Sequence, residues 1–279
     1  MPGSKSAMIF PLLRVAINIG AGCKEAITAI SLSIIMLLTT TGTAKAFETD
    51  MNIDTTDYIE VQSGVDPVCS VIWLHGLGAD GHDFEPIVPQ LGISQQTPMR
   101  FIFPHAPVRP ITINNGMEMR GWYDVTGMAF DRGQDRAGIE HSAAILRSLL
   151  EQENRRGIKF ENIFLAGFSQ GGAIVLHTGL RFNQRLAGII ALSTYLPLAE
   201  SFDLEKSTVN QQTPIFMAHG VDDPLIPIEL AQSSKKKLMQ SGFSVLWHQY
   251  PMQHSVSPRE IDDIAAFLRA RIKPCSSGE

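Results

Sequence analysis

Ser169 stands at the centre of Gly167-Phe168-Ser169-Gln170-Gly171, between the apolar run Asn162–Ala166 and the helix-compatible run Gly172–Leu176. That order is strand, sharp turn, helix, with a hydroxyl at the apex. Glycines two before and two after the serine remove the Cβ clashes that such a turn would otherwise create. A hydroxyl is a poor nucleophile until a base takes its proton, and the base needs a carboxylate to hold it in the right tautomer. A G-x-S-x-G match alone is a weak signal. Suitable partners later in the chain strengthen it.

In a strand–turn–helix hydrolase the acid follows the serine and the histidine comes last. After the β-rich run Pro214–His219 comes Gly220-Val221-Asp222-Asp223-Pro224, and two aspartates compete there. Asp223 precedes Pro224, which restricts it to extended backbone and fixes the loop. Asp222 reads better as a turn residue. After the next strand, Ser244–Tyr250, His254 falls in the loop before the last helix, where a base is needed. His75 and His219 end strands but come too early in the order. His248 lies in a strand, and His141 and His177 on helices, so these five read as structural. Acyl transfer also needs donors for the developing oxyanion. One is the N–H of the residue after the nucleophile, Gln170. The other comes from an early strand-to-helix loop, here the glycine-rich His75-Gly76-Leu77-Gly78.

The elements that must carry these residues alternate. Val68–His75, Arg100–Phe103, Ile163–Ala166, Leu186–Ser193, Pro214–His219 and Ser244–Tyr250 read as strands. Gln134–Arg156, Gln170–Arg181, Ile228–Gln240 and Ser257–Arg271 read as helices, and Asp83–Leu91 as a short helix broken at Pro86 and Pro89. Pro104–Gln134 shows little regular pattern. Its aromatic and apolar content (Val108, Ile111, Ile113, Met117, Trp122, Met128) marks it as an ordered, functional connection. Repeated strand–helix alternation predicts an α/β fold: a mostly parallel sheet with helices on both faces and ligands at the C-terminal strand ends.

Composition sets the remaining bounds. The chain has 279 residues, 44% hydrophobic and 18% charged, which is globular. A net charge of −5, with only Lys235-Lys236-Lys237 as a basic run, argues against nucleic acid as a partner. Cys23, Cys69 and Cys275 are widely spaced and suggest neither a metal site nor a disulfide framework. Residues 1–50 differ from the rest. Ala26–Ala44 is uncharged and ends in Ala44-Lys45-Ala46, an A-x-A pattern. A secretory signal, a membrane anchor and an extension upstream of a start at Met51 all remain open. The segment is set apart from the fold, and residues 51–279 are taken as one domain.

The ordered set Leu74-His75-Gly76-Leu77-Gly78, Gly167–Gly172, His219–Pro227 and Met252-Gln253-His254-Ser255 resembles the carboxylesterase/acyl-protein thioesterase family of α/β-hydrolases, with its bacterial members the nearer match. Phe103–Pro110 and Met119–Asp124 are similar to that family's stretch ahead of the long helix. The resemblance runs from about Val68 to Arg271. It implies an α/β-hydrolase fold without a large cap domain and hydrolysis of carboxylic esters or thioesters through an acyl-enzyme. Ser169 would be the nucleophile, Asp223 the acid and His254 the base. The N–H groups of Leu77 and Gln170 would be the oxyanion donors, and Gly76 and Trp122 would line the acyl site. It implies no metal or organic cofactor, a small ester or acyl-thioester substrate, and room for a homodimer. Family members with long-chain lysophospholipase or acyl-protein thioesterase activity are the alternative within enzymes; a non-catalytic binding protein is the alternative outside them. The expected location is cytoplasmic, or periplasmic or secreted if Ala44-Lys45-Ala46 is processed. Membrane contact is expected only if the N-terminal segment is kept as an anchor.

Overall fold

Five runs of apolar residues are buried along their whole length or nearly so, and they form the middle of a seven-stranded sheet. The computed structural model describes residues 57–94, 97–127 and 133–272, which belong to one unit, Asn52–Glu279. The signal-like segment, Cys23, Met51, Met128 and Cys275 lie outside the described residues. In chain order the strands are β1 (Tyr58–Gln62), β2 (Cys69–Leu74), β3 (Met99–Pro104), β4 (Val108–Ile111), β5 (Met117–Arg120), β6 (Ile163–Phe168), β7 (Gly188–Leu192), β8 (Ile215–Gly220) and β9 (Val245–Tyr250). The sheet order is β1-β3-β2-β6-β7-β8-β9, and every neighbouring pair is parallel except β1 with β3.

Period-two alternation divides each central strand between two cores. In β2, Ile72 and Leu74 face one core while Val71 and Trp73 face the other. The first core is covered by α1 (Arg136–Arg155) and α2 (Gln170–Gly179), with Leu238 of α3 (Ile228–Gln240) joining it. The second is covered by α4 (Pro258–Arg269) and a 3-10 helix, Glu85–Leu91, which accommodates both prolines. Helix α1 starts at Asp135, whose carboxylate accepts from Gly138 N. Helix α4 starts with a capping box between Ser257 and Glu260 and with Pro258 in its first turn. These caps fix where each helix begins and therefore where the loops ahead of it end.

Two features depart from the expected pattern. β1 is an extra antiparallel edge strand, half-buried rather than buried. The stretch 104–134, expected to be irregular, contains the antiparallel hairpin β4–β5. Its turn runs through a 3-10 segment, Thr112–Asn114, then Asn115 and Gly116, at φ 56° and 76°. An Asn-Gly pair is the common choice for two successive left-handed residues. Asp124 anchors the turn, accepting from Thr112 N at 2.7 Å and from Thr112 Oγ1 at 2.6 Å.

Candidate active site

Ser169 sits between the last residue of β6 and the first of α2 with φ 55° and ψ −119°. A residue with a Cβ is strained there, and the surroundings must hold it. The Ser169 N–H donates to Leu192 O on β7 at 2.9 Å, and its carbonyl accepts from Thr194 Oγ1 at 2.7 Å. Both flanking glycines are required by close approach. A Cβ on Gly167 would lie 2.5 Å from the Gly171 carbonyl, and one on Gly171 would lie 2.5 Å from Leu74 O. The turn is therefore pressed onto the end of β2, and Ser169 stands at the C-terminal edge of the sheet.

Three side chains from three loops meet at that edge. Ser169 Oγ lies 2.9 Å from His254 Nε2, and His254 Nδ1 lies 2.7 Å from Asp223 Oδ2. A carboxylate can only accept, so Nδ1 carries the ring proton and Nε2 is left to accept from the serine hydroxyl. The second oxygen of Asp223 accepts from the N–H groups of Leu225 (2.9 Å) and Ile226 (3.0 Å), so both oxygens are occupied. The Asp223 side chain is fully buried. Asp222, its neighbour, is exposed and points its backbone N–H at Met252 O. Val221 N donates to Tyr250 O at 2.9 Å, which ties the Asp223 loop to the His254 loop. The ring of Phe168 packs 4.7 Å from that of His254.

Ser169 opens into a cavity of about 450 Å³ whose walls include Gly76, Leu77, Gln170, Tyr123, Val125, Leu225 and Ile226. Gly76, Leu77 and Gln170 line this cavity together with Ser169. Trp122 does not. It is 1% exposed, is absent from the cavity wall, and belongs to the first core. Its indole N–H donates to His75 O at 2.9 Å. An indole this large is spent on packing beneath the site, and its neighbour Tyr123 reaches the cavity instead.

Three contributions were not anticipated from the sequence. The Gln170 side chain accepts from Trp122 N at 2.7 Å and donates to Tyr123 O at 2.6 Å, so it stitches α2 to the long connection. His75 and His219, which read as structural, each hold a loop of the site. His219 Nε2 donates to Ile226 O at 2.8 Å and lies 3.3 Å from Asp223 Oδ2. Burial lowers its pKa and keeps it neutral at pH 7. Nothing in the sequence separates a loop-holding histidine from a packed one; the only available signal was that both lie at the C-terminal ends of strands.

Known proteins resemble this chain in sequence and fold. The model of the phospholipase/carboxylesterase family matches residues 56–272. Acyl-protein thioesterase 1 of Gibberella zeae is 42% identical over 214 residues, covering 74% of this chain and 91% of that protein. The crystal structure of Arabidopsis thaliana SOBER1 superposes with a TM-score of 0.69 at 33% identity, covering 74% of this chain and 99% of that one. Zea mays acyl-protein thioesterase 2 superposes at 0.70 with 27% identity, covering 78% and 100%. The chain has the α/β-hydrolase fold, belongs to the phospholipase/carboxylesterase family and is a hydrolase of carboxylic esters or thioesters.

Proposed function

We propose that this hydrolase works through an acyl-enzyme on Ser169, with His254 as general base and acid and Asp223 as the carboxylate that orients it. The observation that carries this reading is the unbroken hydrogen-bond chain from Ser169 Oγ through both His254 nitrogens to Asp223. Ser169 Oγ attacks the acyl carbon while its proton passes to His254 Nε2. The tetrahedral intermediate places its oxyanion at the N–H groups of Leu77 and Gln170. Collapse breaks the C–O or C–S bond, and the leaving alcohol or thiol takes the proton from His254. Water then attacks the acyl-enzyme and gives a proton to Nε2. Collapse of that second intermediate returns the proton to Ser169 Oγ and releases the acid.

The cavity favours an acyl chain. Its wall is largely apolar, with Leu77, Ile113, Val125, Phe168 and Leu225 contributing. The similarity to fungal acyl-protein thioesterase 1 supports a second reading, in which the acyl group is long and arrives on a protein thiol. We take residues 51–279 as the catalytic domain, acting in the cytoplasm, as a monomer or homodimer, with residues 1–50 dispensable for activity. Among the described residues no helix is long and apolar enough to cross a membrane.

A fluorophosphonate probe tests the chemistry. It should label the wild type at Ser169 and leave Ser169→Ala unlabelled, and that variant should stay folded and lose on the order of 10³-fold or more in kcat. More than a tenth of wild-type kcat in a folded Ser169→Ala would refute the assignment. Absence of labelling and of turnover in the wild type would favour a binding protein. A panel of p-nitrophenyl esters and acyl thioesters of graded length then separates the two substrate readings. N-terminal mass spectrometry of protein from its native host distinguishes Phe47, Met51 and Met1 as the first residue.

A further inference from the structure

The role of Leu77 as an oxyanion donor depends on where its N–H points, and a backbone N–H has no rotamer of its own. Its direction is that of the Gly76–Leu77 peptide plane. In a trans peptide the carbonyl and the N–H point opposite ways, so whatever holds the Gly76 carbonyl aims the Leu77 N–H. Among the described residues every peptide bond is trans. The loop is rich in glycine, and Gly78 lies at φ 80°, so local sequence does little to fix that plane.

The Gly76 carbonyl is held from two sides. Ala79 N lies 3.3 Å away in the loop's own turn, and His75 Nδ1 lies 2.7 Å away. The protonation of His75 follows from its other nitrogen. Ala106 N donates to Nε2 at 3.0 Å, so Nε2 bears no proton, and Nδ1 must carry it and donate to Gly76 O. The imidazole is clamped in turn. It is 1% exposed, its ring packs 5.3 Å from that of Trp122, and its backbone carbonyl takes the Trp122 indole N–H. Burial lowers its pKa to about 4, so it stays neutral through the working range.

We propose that His75 is the positioning residue of the oxyanion hole: its neutral ring, in the Nδ1–H form, pins the Gly76 carbonyl and so turns the Leu77 N–H toward the reacting carbonyl beside Ser169. This rests on the reading of Ser169 as nucleophile and Leu77 N–H as donor. His75 touches neither substrate nor the serine. It acts through one peptide plane, and its worth lies in the transition state, where the oxyanion is fully formed. The shared bracing explains why a fully buried tryptophan is built into the connection directly behind the site.

His75→Ala and His75→Asn, compared with the wild type, test the proposal. Asparagine carries an N–H close to the position of Nδ1 and lacks the Nε2 acceptor. His75→Ala should lose about 10²-fold in kcat with KM within about threefold, the size seen when one oxyanion donor is lost. It should also bind an alkyl boronic acid, which becomes a tetrahedral anion on the serine, weaker by a similar factor. His75→Asn should recover about tenfold of both losses. Equal kcat in the Ala and Asn variants, or boronate affinity unchanged in His75→Ala, overturns the proposal. If a variant fails to fold, ¹⁵N-resolved NMR of the wild-type histidines decides. A proton on Nδ1 of His75 is expected, and one on Nε2 overturns the proposal. The underlying reading fails separately: a wild type that does not bind the boronate, or an active Ser169→Ala, removes the nucleophile itself.

Discussion

Gln170 and Trp122 are joined side chain to backbone. The Gln170 amide oxygen accepts from Trp122 N at 2.7 Å, and the amide nitrogen of Gln170 continues to the next carbonyl, Tyr123 O, at 2.6 Å. One residue therefore has two separable functions. Its backbone N–H, next to the proposed nucleophile, is the proposed oxyanion donor, and its side chain holds the cavity wall. Gln170→Ala keeps the N–H and removes the brace. Trp122 N and Tyr123 O are then left to find other partners in a buried place, at a cost of about 1–3 kcal/mol each if they do not. We expect a lower Tm and a KM that rises more than kcat falls. A kcat loss at unchanged KM and Tm would mean that the side chain contributes to the reaction directly.

Asp222 and Asp223 differ in environment far more than in sequence. Asp223 is buried with both oxygens occupied, while Asp222 is exposed. Asp223→Asn should lose on the order of 10²–10⁴-fold in kcat, because an amide at that place can present an N–H to His254 and favour the wrong tautomer. Asp222→Asn should stay within about threefold. Steady-state kinetics of the two variants on one short ester decides, and the reverse ranking would move the acid to Asp222.

Much of this was legible in the chain because the motifs are local. The turn at Ser169 needs two glycines within two residues, and a strand buried on both faces shows as an unbroken apolar run. Asp223 and His254, the proposed acid and base, follow their strands directly, so reading the strands was enough to nominate both. What was not legible is long-range. Trp122 and Tyr123 are adjacent in sequence, yet one packs in the core and the other lines the cavity, and only the fold says which. β1 is half-buried and short, so neither its pattern nor its length sets it apart from a loop. The hairpin β4–β5 did carry a signal in Asn115-Gly116, but the helical turn Thr112–Asn114 before it breaks the strand alternation that would have confirmed it.

Chain-length preference is expected to reside in the cavity wall and not in Trp122. Ile113, Val125 and Leu225 line the cavity, and Ile113 and Leu225 are exposed at 36% and 53%, free to cover a bound chain. Each methylene that the wall removes from water adds up to ~0.8 kcal/mol. For the wild type, kcat/KM should rise from acetyl to mid-length esters and then level off. Leu225→Ala should reduce that slope with little change on the acetyl ester. Trp122→Ala should lower Tm and depress every chain length alike, since it removes a fully buried indole and its bond to His75 O. A Trp122→Ala protein of normal Tm with only the slope reduced would restore the tryptophan to the acyl site.

Stability should also depend on pH through a buried carboxyl away from the site. Glu260, in the first turn of α4, is fully buried, and its Oε1 has no hydrogen-bond partner. Its other oxygen accepts from Ser257 N at 3.3 Å to complete the capping box. Burial, with the nearby Asp263 adding to it, pushes the Glu260 pKa up to about 8. The folded state therefore keeps a proton that the unfolded chain releases near 4.5. This contribution to stability is whole below about pH 4.5 and is lost as pH rises toward 8. His75 and His177 slope the other way. Burial lowers them to about 4 and about 3, so the unfolded chain takes up protons first as pH falls below 6.5. The difference in Tm between Glu260→Gln and wild type isolates the carboxyl, because the other titrations cancel. Glutamine keeps an oxygen for the Ser257 N–H and never ionises. The two proteins should melt together at pH 4, and the variant should melt progressively higher from pH 5 to pH 8.5. A difference that stays constant with pH, or that favours the wild type at pH 8.5, would mean that Glu260 is ionised and solvated in the folded protein.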